Sequence, residues 1–134
     1  MQKRLITLLA GLAPVVVLVP VLAPTLAHAD KKLDKSGSWD CKKDPAAHIG
    51  NGAGKYTVTG ACKSISVGGG MNTLTIESVD LLDVGGAGNT ITVGTVGTID
   101  VGGAGNTITW KKAKAGDQPT LKGQPDKNTI SQAK

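Results

Sequence analysis

Three stretches decide the fold: Ile65-Ser-Val-Gly-Gly-Gly-Met-Asn-Thr-Leu-Thr-Ile76, Leu82-Asp-Val-Gly-Gly-Ala-Gly-Asn-Thr-Ile-Thr-Val93 and Ile99-Asp-Val-Gly-Gly-Ala-Gly-Asn-Thr-Ile-Thr-Trp110. They align without gaps, and Asn72, Asn89 and Asn106 recur at a step of 17 residues. A fourth copy, Leu121-Lys-Gly-Gln-Pro-Asp-Lys-Asn-Thr-Ile-Ser131, follows an insertion in the 111–119 segment and carries Asn128 in the same place. A degenerate first copy over about 49–59 brings Thr57-Val58-Thr59. Near-identical central units with irregular outer ones are the pattern of a stacked repeat closed by caps.

Within a unit, apolar and polar residues alternate in Ile99-Asp100-Val101 and again in Thr107-Ile108-Thr109-Trp110, which is the period of a strand. The Gly102-Gly103-Ala104-Gly105 run between them cannot be helix, and its glycines allow the positive φ of a tight corner. Each unit therefore reads as two short strands around a glycine turn. One unit alone has only a few Ile, Val or Leu to face inward and cannot bury them; stacking the units places those residues in columns and builds a continuous core. The predicted fold is all-β, a small parallel β-solenoid of about five coils with a 17-residue repeat. Short strands with glycine turns also suit an antiparallel β-sandwich or barrel.

The chain has 134 residues, with 19 Gly, 2 Trp, 1 Tyr and no Phe. Stacked β-branched columns fill a narrow interior without large aromatics, so this composition agrees with the solenoid. It also leaves no stacking platform for bases, sugars or quaternary amines. Lys3 and Arg4 precede an apolar stretch from Leu5 to Leu26 that closes on Ala27-His28-Ala29. A basic start, an apolar centre and a small-x-small end define a signal peptide over 1–29, cleaved before Asp30. Pro14, Pro20 and Pro24 oppose a spanning helix, so no stable membrane insertion is expected after cleavage; the rival is an uncleaved N-terminal membrane anchor. The organisation read from the sequence is thus a leader over 1–29, a flexible N-terminal segment over 30–40 and one repeat domain over 41–134. With Lys3 and Arg4 gone, 13 basic residues face 10 acidic ones and no Arg is left. Planar bidentate readout of bases is then absent, and nucleic acid is not an expected partner.

Cys41 and Cys62 are the only cysteines, and in an oxidising compartment a disulfide is the expected state. A metal site is not expected, because His48 alone lies nearby and zinc needs more ligands. The Gly-Gly-Ala-Gly stretches resemble calcium-binding nonapeptides, but Thr90 and Thr107 stand where those repeats need an Asp oxygen. Asp83 and Asp100 share a column, with Ser66 before them and Lys122 after; they are the one candidate pair for acid–base work on a glycan. Asn72, Asn89, Asn106 and Asn128 form a turn ladder that can hydrogen-bond from coil to coil. The pairs Thr57/Thr59, Thr73/Thr75, Thr90/Thr92, Thr107/Thr109 and Thr129/Ser131 give successive coils an outward hydroxyl face. Its spacing would be about 4.8 Å between coils and about 6.7 Å within a pair.

The order of Cys, then apolar-x-Val-Gly-x-x-x-Asn-Thr-apolar-Thr repeats, then a last Gly-x-x-x-x-Asn-Thr-Ile resembles the bacterial exported family known as domain of unknown function 3060. The resemblance runs over about 39–131. It implies a secreted or envelope location and a repeat fold, and it brings no activity, cofactor or catalytic residue. The expected role is an exported non-enzymatic structural or binding module of the cell envelope, periplasmic or secreted, with partners unknown beyond envelope polysaccharide or protein and with no cofactor. The alternatives are a polysaccharide-acting hydrolase and an ice- or crystal-surface binder that uses the Thr-x-Thr face.

Overall fold

A computed structural model describes residues 31–134; the leader expected over 1–29 lies outside the described residues. Its strands are β1 (Lys31–Lys32), β2 (Gly37–Asp40), β3 (Ala46–Ile49), β4 (Lys55–Val67), β5 (Thr73–Val84), β6 (Thr90–Val101), β7 (Thr107–Ala113), β8 (Thr120–Gly123) and β9 (Thr129–Gln132), with one 3-10 turn at Pro125–Lys127. Every strand pairing is parallel, from β1 with β3 to β7 with β9. The chain winds through about five turns in one direction, as a parallel β-solenoid. Thr73 pairs with Thr90 and Thr90 with Thr107, so the repeat step in the sequence is the rung step of the sheet.

A coil has three sides rather than the two strands and turn that periodicity suggested. In β6 the sides are Thr90–Val93, Thr95-Val96 and Thr98–Val101, with Gly94 and Gly97 at the bends between them. The inward residues stack into five apolar columns. Tyr56, Leu74, Ile91 and Ile108 form one, and Val58, Ile76, Val93 and Trp110 the next. Cys62, Val79, Val96 and Ala113 line the middle side. The third side supplies Ala47, Ile65, Leu82 and Ile99, then Ile49, Val67, Val84 and Val101. These columns are the hydrophobic core, and each inner member stacks between its equivalents one coil up and one coil down. Ile91, Val93, Ile99, Val101 and Ile108, the apolar partners in the strand alternation, are all fully buried.

Two points add to the sequence reading. Within the segment 30–40, read from the sequence as a flexible N-terminal segment, Lys31–Lys32 pairs with Ala47-His48 and Gly37–Asp40 pairs with Tyr56–Thr59. The reason is that the first complete coil would otherwise show a bare edge; the polar segment covers it with backbone hydrogen bonds and packs Leu33 and Trp39 against the core. The second point concerns register. Thr57 pairs with Thr75, not Thr73, because the first coil carries an extra residue that is absorbed between Val58 and Ala61. Gly60, at φ 81°, makes that bulge.

The Cys41–Cys62 disulfide is formed, with Cα atoms 5.1 Å apart, and continues the column of Val79 and Val96 toward the N-terminal end. It closes a sequence separation of 21 residues, which contributes about 3 kcal/mol in the chain-entropy picture. Among the described residues, no helix is long and apolar enough to cross a membrane.

The wide corner of each coil is built on glycine. A Cβ on Gly86 would lie 1.9 Å from the Gly69 carbonyl oxygen of the preceding coil, so no other residue fits there. Two positions further on, Gly88 and Gly105 take φ 68° and 69°, but Met71 stands in the same place at φ 58° with its side chain 73% exposed. A non-glycine residue in that conformation costs about 1 kcal/mol, and this methionine recovers little by burial. Met71→Gly should therefore stabilise the fold by about 1 kcal/mol, read as an upward shift of the urea midpoint. An unchanged or lower midpoint would contradict the assigned backbone conformation.

Candidate binding face

The side of the solenoid that starts each coil after the glycine corner presents two polar columns. Lys55, Thr73, Thr90, Thr107 and Thr129 form one; Ser38, Thr57, Thr75, Thr92, Thr109 and Ser131 form the other. The strand alternation dictates this: Leu74 and Ile76, Ile91 and Val93, Ile108 and Trp110 point in, so the threonines between them point out. Thr73, Thr75, Thr90, Thr92 and Thr107 are exposed, and Thr109 is half-buried. From Thr73 to Thr109 the grid is regular in two directions, with two threonines on each rung, and Thr129 and Ser131 continue it. Thr59 is not part of it. The bulge moves Thr59 into the next column, opposite Asp40, where its hydroxyl donates to the Trp39 carbonyl at 3.3 Å. Lys55 takes the place in the grid that sequence alignment had assigned to Thr57.

The corner that precedes this face is locked by the Asn ladder. Asn72, Asn89 and Asn106 are buried inside the coil rather than stacked on its surface. The Asn89 backbone N–H and side-chain Nδ2 both donate to Asn106 Oδ1, at 2.9 Å each, and Nδ2 also donates to the Gly69 carbonyl at 3.0 Å. Asn89 Oδ1 in turn accepts from the Asn72 N–H at 2.9 Å. The same scheme repeats through Asn106, Asn128 and Gly86. Asn128 closes the series: its Nδ2 donates to Gly103 and Gln124 carbonyls, while its backbone N–H bonds Pro125 within the 3-10 turn. No buried side-chain nitrogen or oxygen among the described residues lacks a partner. A satisfied internal network of this kind fixes one register between coils.

Asp83 and Asp100 do share a column, on the third side, continued by Ser66 and His48 one way and Lys122 the other. Asp83 is exposed and Asp100 half-buried. Neither lines the depressions beside Trp110 and Pro119, beside Lys55 and Tyr56, or beside Glu77 and Lys111. Lys122 neighbours Asp100 in register without reaching it; the ion pairs among the described residues are Lys32–Asp34, at 3.4 Å, and Lys114–Asp80. Among those residues no three His, Cys, Asp or Glu side chains gather as metal ligands.

Fold and face together define a parallel β-solenoid with an internal asparagine ladder and one regular threonine face. Residues 80–123 match the model of the family described as Protein of unknown function (DUF3060), the family that the repeat pattern resembles. The matched span runs from Asp80 on β5 to Gly123 on β8 and holds the two coils whose repeats are most alike within this chain. No curated protein and no solved structure matches the chain.

Proposed function

We propose that the protein is an exported, non-enzymatic module of the cell envelope that works by binding, through the face of Thr57, Thr73, Thr75, Thr90, Thr92, Thr107 and Thr109. The observation that supports this is the pair of threonine columns held in register over consecutive rungs. Strand propensity also favours threonine on an outward strand position, so the binding reading rests on the register and not on the residue type alone. The leader-like 1–29 segment and the Cys41–Cys62 bridge support the exported setting. The test is co-sedimentation of the secreted chain with envelope fragments of the producing bacterium, against a Thr75→Glu/Thr92→Glu variant. The unaltered chain should pellet and the variant should stay in solution. Equal behaviour of the two would overturn the assignment of the face.

A second reading, an ice- or crystal-surface binder, is favoured by the two-directional regularity of the same grid. A surface with translational repeats of about 4.8 and 6.7 Å complements a partner that repeats as well. A cooling assay at millimolar protein separates the two readings. Shaped crystals and a gap between freezing and melting points support a lattice partner, and unshaped growth without a gap removes it.

A further inference from the structure

Beside the threonine grid the chain bends at Gly94, and the column there reads Glu77, Gly94, Lys111 on successive rungs. The next bend repeats this chemistry as Asp80, Gly97, Lys114. In that second column the lysine reaches across the glycine and pairs with Asp80, so the gap closes on itself. The first column stays open. Its carboxylate is turned toward the N-terminal end, where Glu77 Oε2 accepts the Gly60 N–H at 2.7 Å. The Lys111 ammonium has no ion-pair or hydrogen-bond partner among the described residues. The result is an open trough of about 380 Å³ lined by Thr57, Thr75 and Thr92 from the threonine column, by Thr59, Glu77, Gly94 and Lys111 beyond the next strand position, and by Val58 and Ile76 between.

We infer that this trough is a binding site for an acidic oligosaccharide, which rests on the reading of the threonine face as the working surface. Three hydroxyls at rung spacing meet the hydroxyls of a sugar chain laid along the solenoid axis. The fixed Glu77 carboxylate keeps a second oxygen free to accept from sugar hydroxyls. Lys111 offers an unshared positive charge for a carboxylate on the ligand, about two rungs or 9.6 Å from Glu77 along the axis. No aromatic ring lines the trough, so the sugar is held by charge and hydrogen bonds rather than by stacking. Binding is then modest and sensitive to salt.

The test is calorimetric titration of the secreted chain with tetragalacturonate, and with cellotetraose as the neutral comparison. Tetragalacturonate should bind with a Kd of about a millimolar and weaken as salt is raised. Cellotetraose should bind at least about tenfold more weakly. Lys111→Met should lower affinity for tetragalacturonate about tenfold, whereas Lys127→Met, an exposed lysine outside the trough, should leave it within about twofold. Both lysines are exposed, and an unchanged circular-dichroism spectrum shows that the variants fold. No heat with tetragalacturonate, equal affinity for the two sugars, or full affinity in Lys111→Met would overturn the inference. If those results came with envelope sedimentation that still depends on Thr75 and Thr92, the trough would fail while the binding face stood.

Discussion

Ile108→Asp should abolish the folded state, while Thr107→Asp, one residue away, should leave it intact. Ile108 is fully buried in the column between Ile91 and Ile130. A carboxylate there loses its water and meets only hydrocarbon, a cost of several kcal/mol, which is a large share of the stability of a small domain. Thr107 points to solvent between Thr90 and Thr129. An aspartate at that place gives up strand propensity alone, less than about 1 kcal/mol. Circular dichroism and urea unfolding of the two variants read the difference directly. Equal damage from both would contradict the inside–outside assignment.

The second large effect is expected inside the corner. Asn89→Leu leaves the Asn72 N–H and the Gly69 carbonyl without their partners, since those are the groups that Asn89 satisfies. Each orphaned buried group costs about 1–3 kcal/mol, so the loss should be about 4 kcal/mol in spite of the added apolar surface. Asn89→Asp nearly conserves shape but replaces the Nδ2 donor by an oxygen facing two acceptors, the Gly69 carbonyl and Asn106 Oδ1. It should be at least as damaging as leucine, although aspartate is the closest isostere. The measure is again the urea midpoint. A tolerated Asn89→Asp would show that the ladder is not the lock between coils.

The repeat step, the direction of the side chains and the register of Asn72, Asn89, Asn106 and Asn128 were all legible in the sequence, because the central coils differ at few positions and share the first two glycines of the wide corner and the Asn-Thr that follows it. What stayed hidden has identifiable causes. The middle side of each coil is too short for periodicity to register, as Gly94-Thr95-Val96-Gly97 shows. The offset of Thr57 was lost because Lys55-Tyr56 keeps the strand alternation while abandoning the Asn-Thr motif that marks the register. The N-terminal rungs were missed because Lys31–Lys32 and Gly37–Asp40 form strands by covering an edge, not by carrying an apolar stripe. The Glu77–Gly94–Lys111 column shares no local motif. It follows from the sequence only when the rung step is applied twice to a lone glutamate.

The direct test of the stacked-coil account is excision of residues 90–106. Removal joins Asn89 to Thr107, and the new junction Gly-Asn-Thr-Ile-Thr has the same sequence as both parent corners. Every inward column then loses one member and keeps its register, with Thr107 stacking on Thr73 in place of Thr90. The excised chain should fold cooperatively, with a β-type circular-dichroism spectrum and an intact Cys41–Cys62 bridge. Removing only 98–106, which is half a coil, should leave an unfolded chain, because it places a threonine-face strand where the third side must lie. Folding of the shorter deletion together with loss of folding in the longer one would contradict the parallel solenoid.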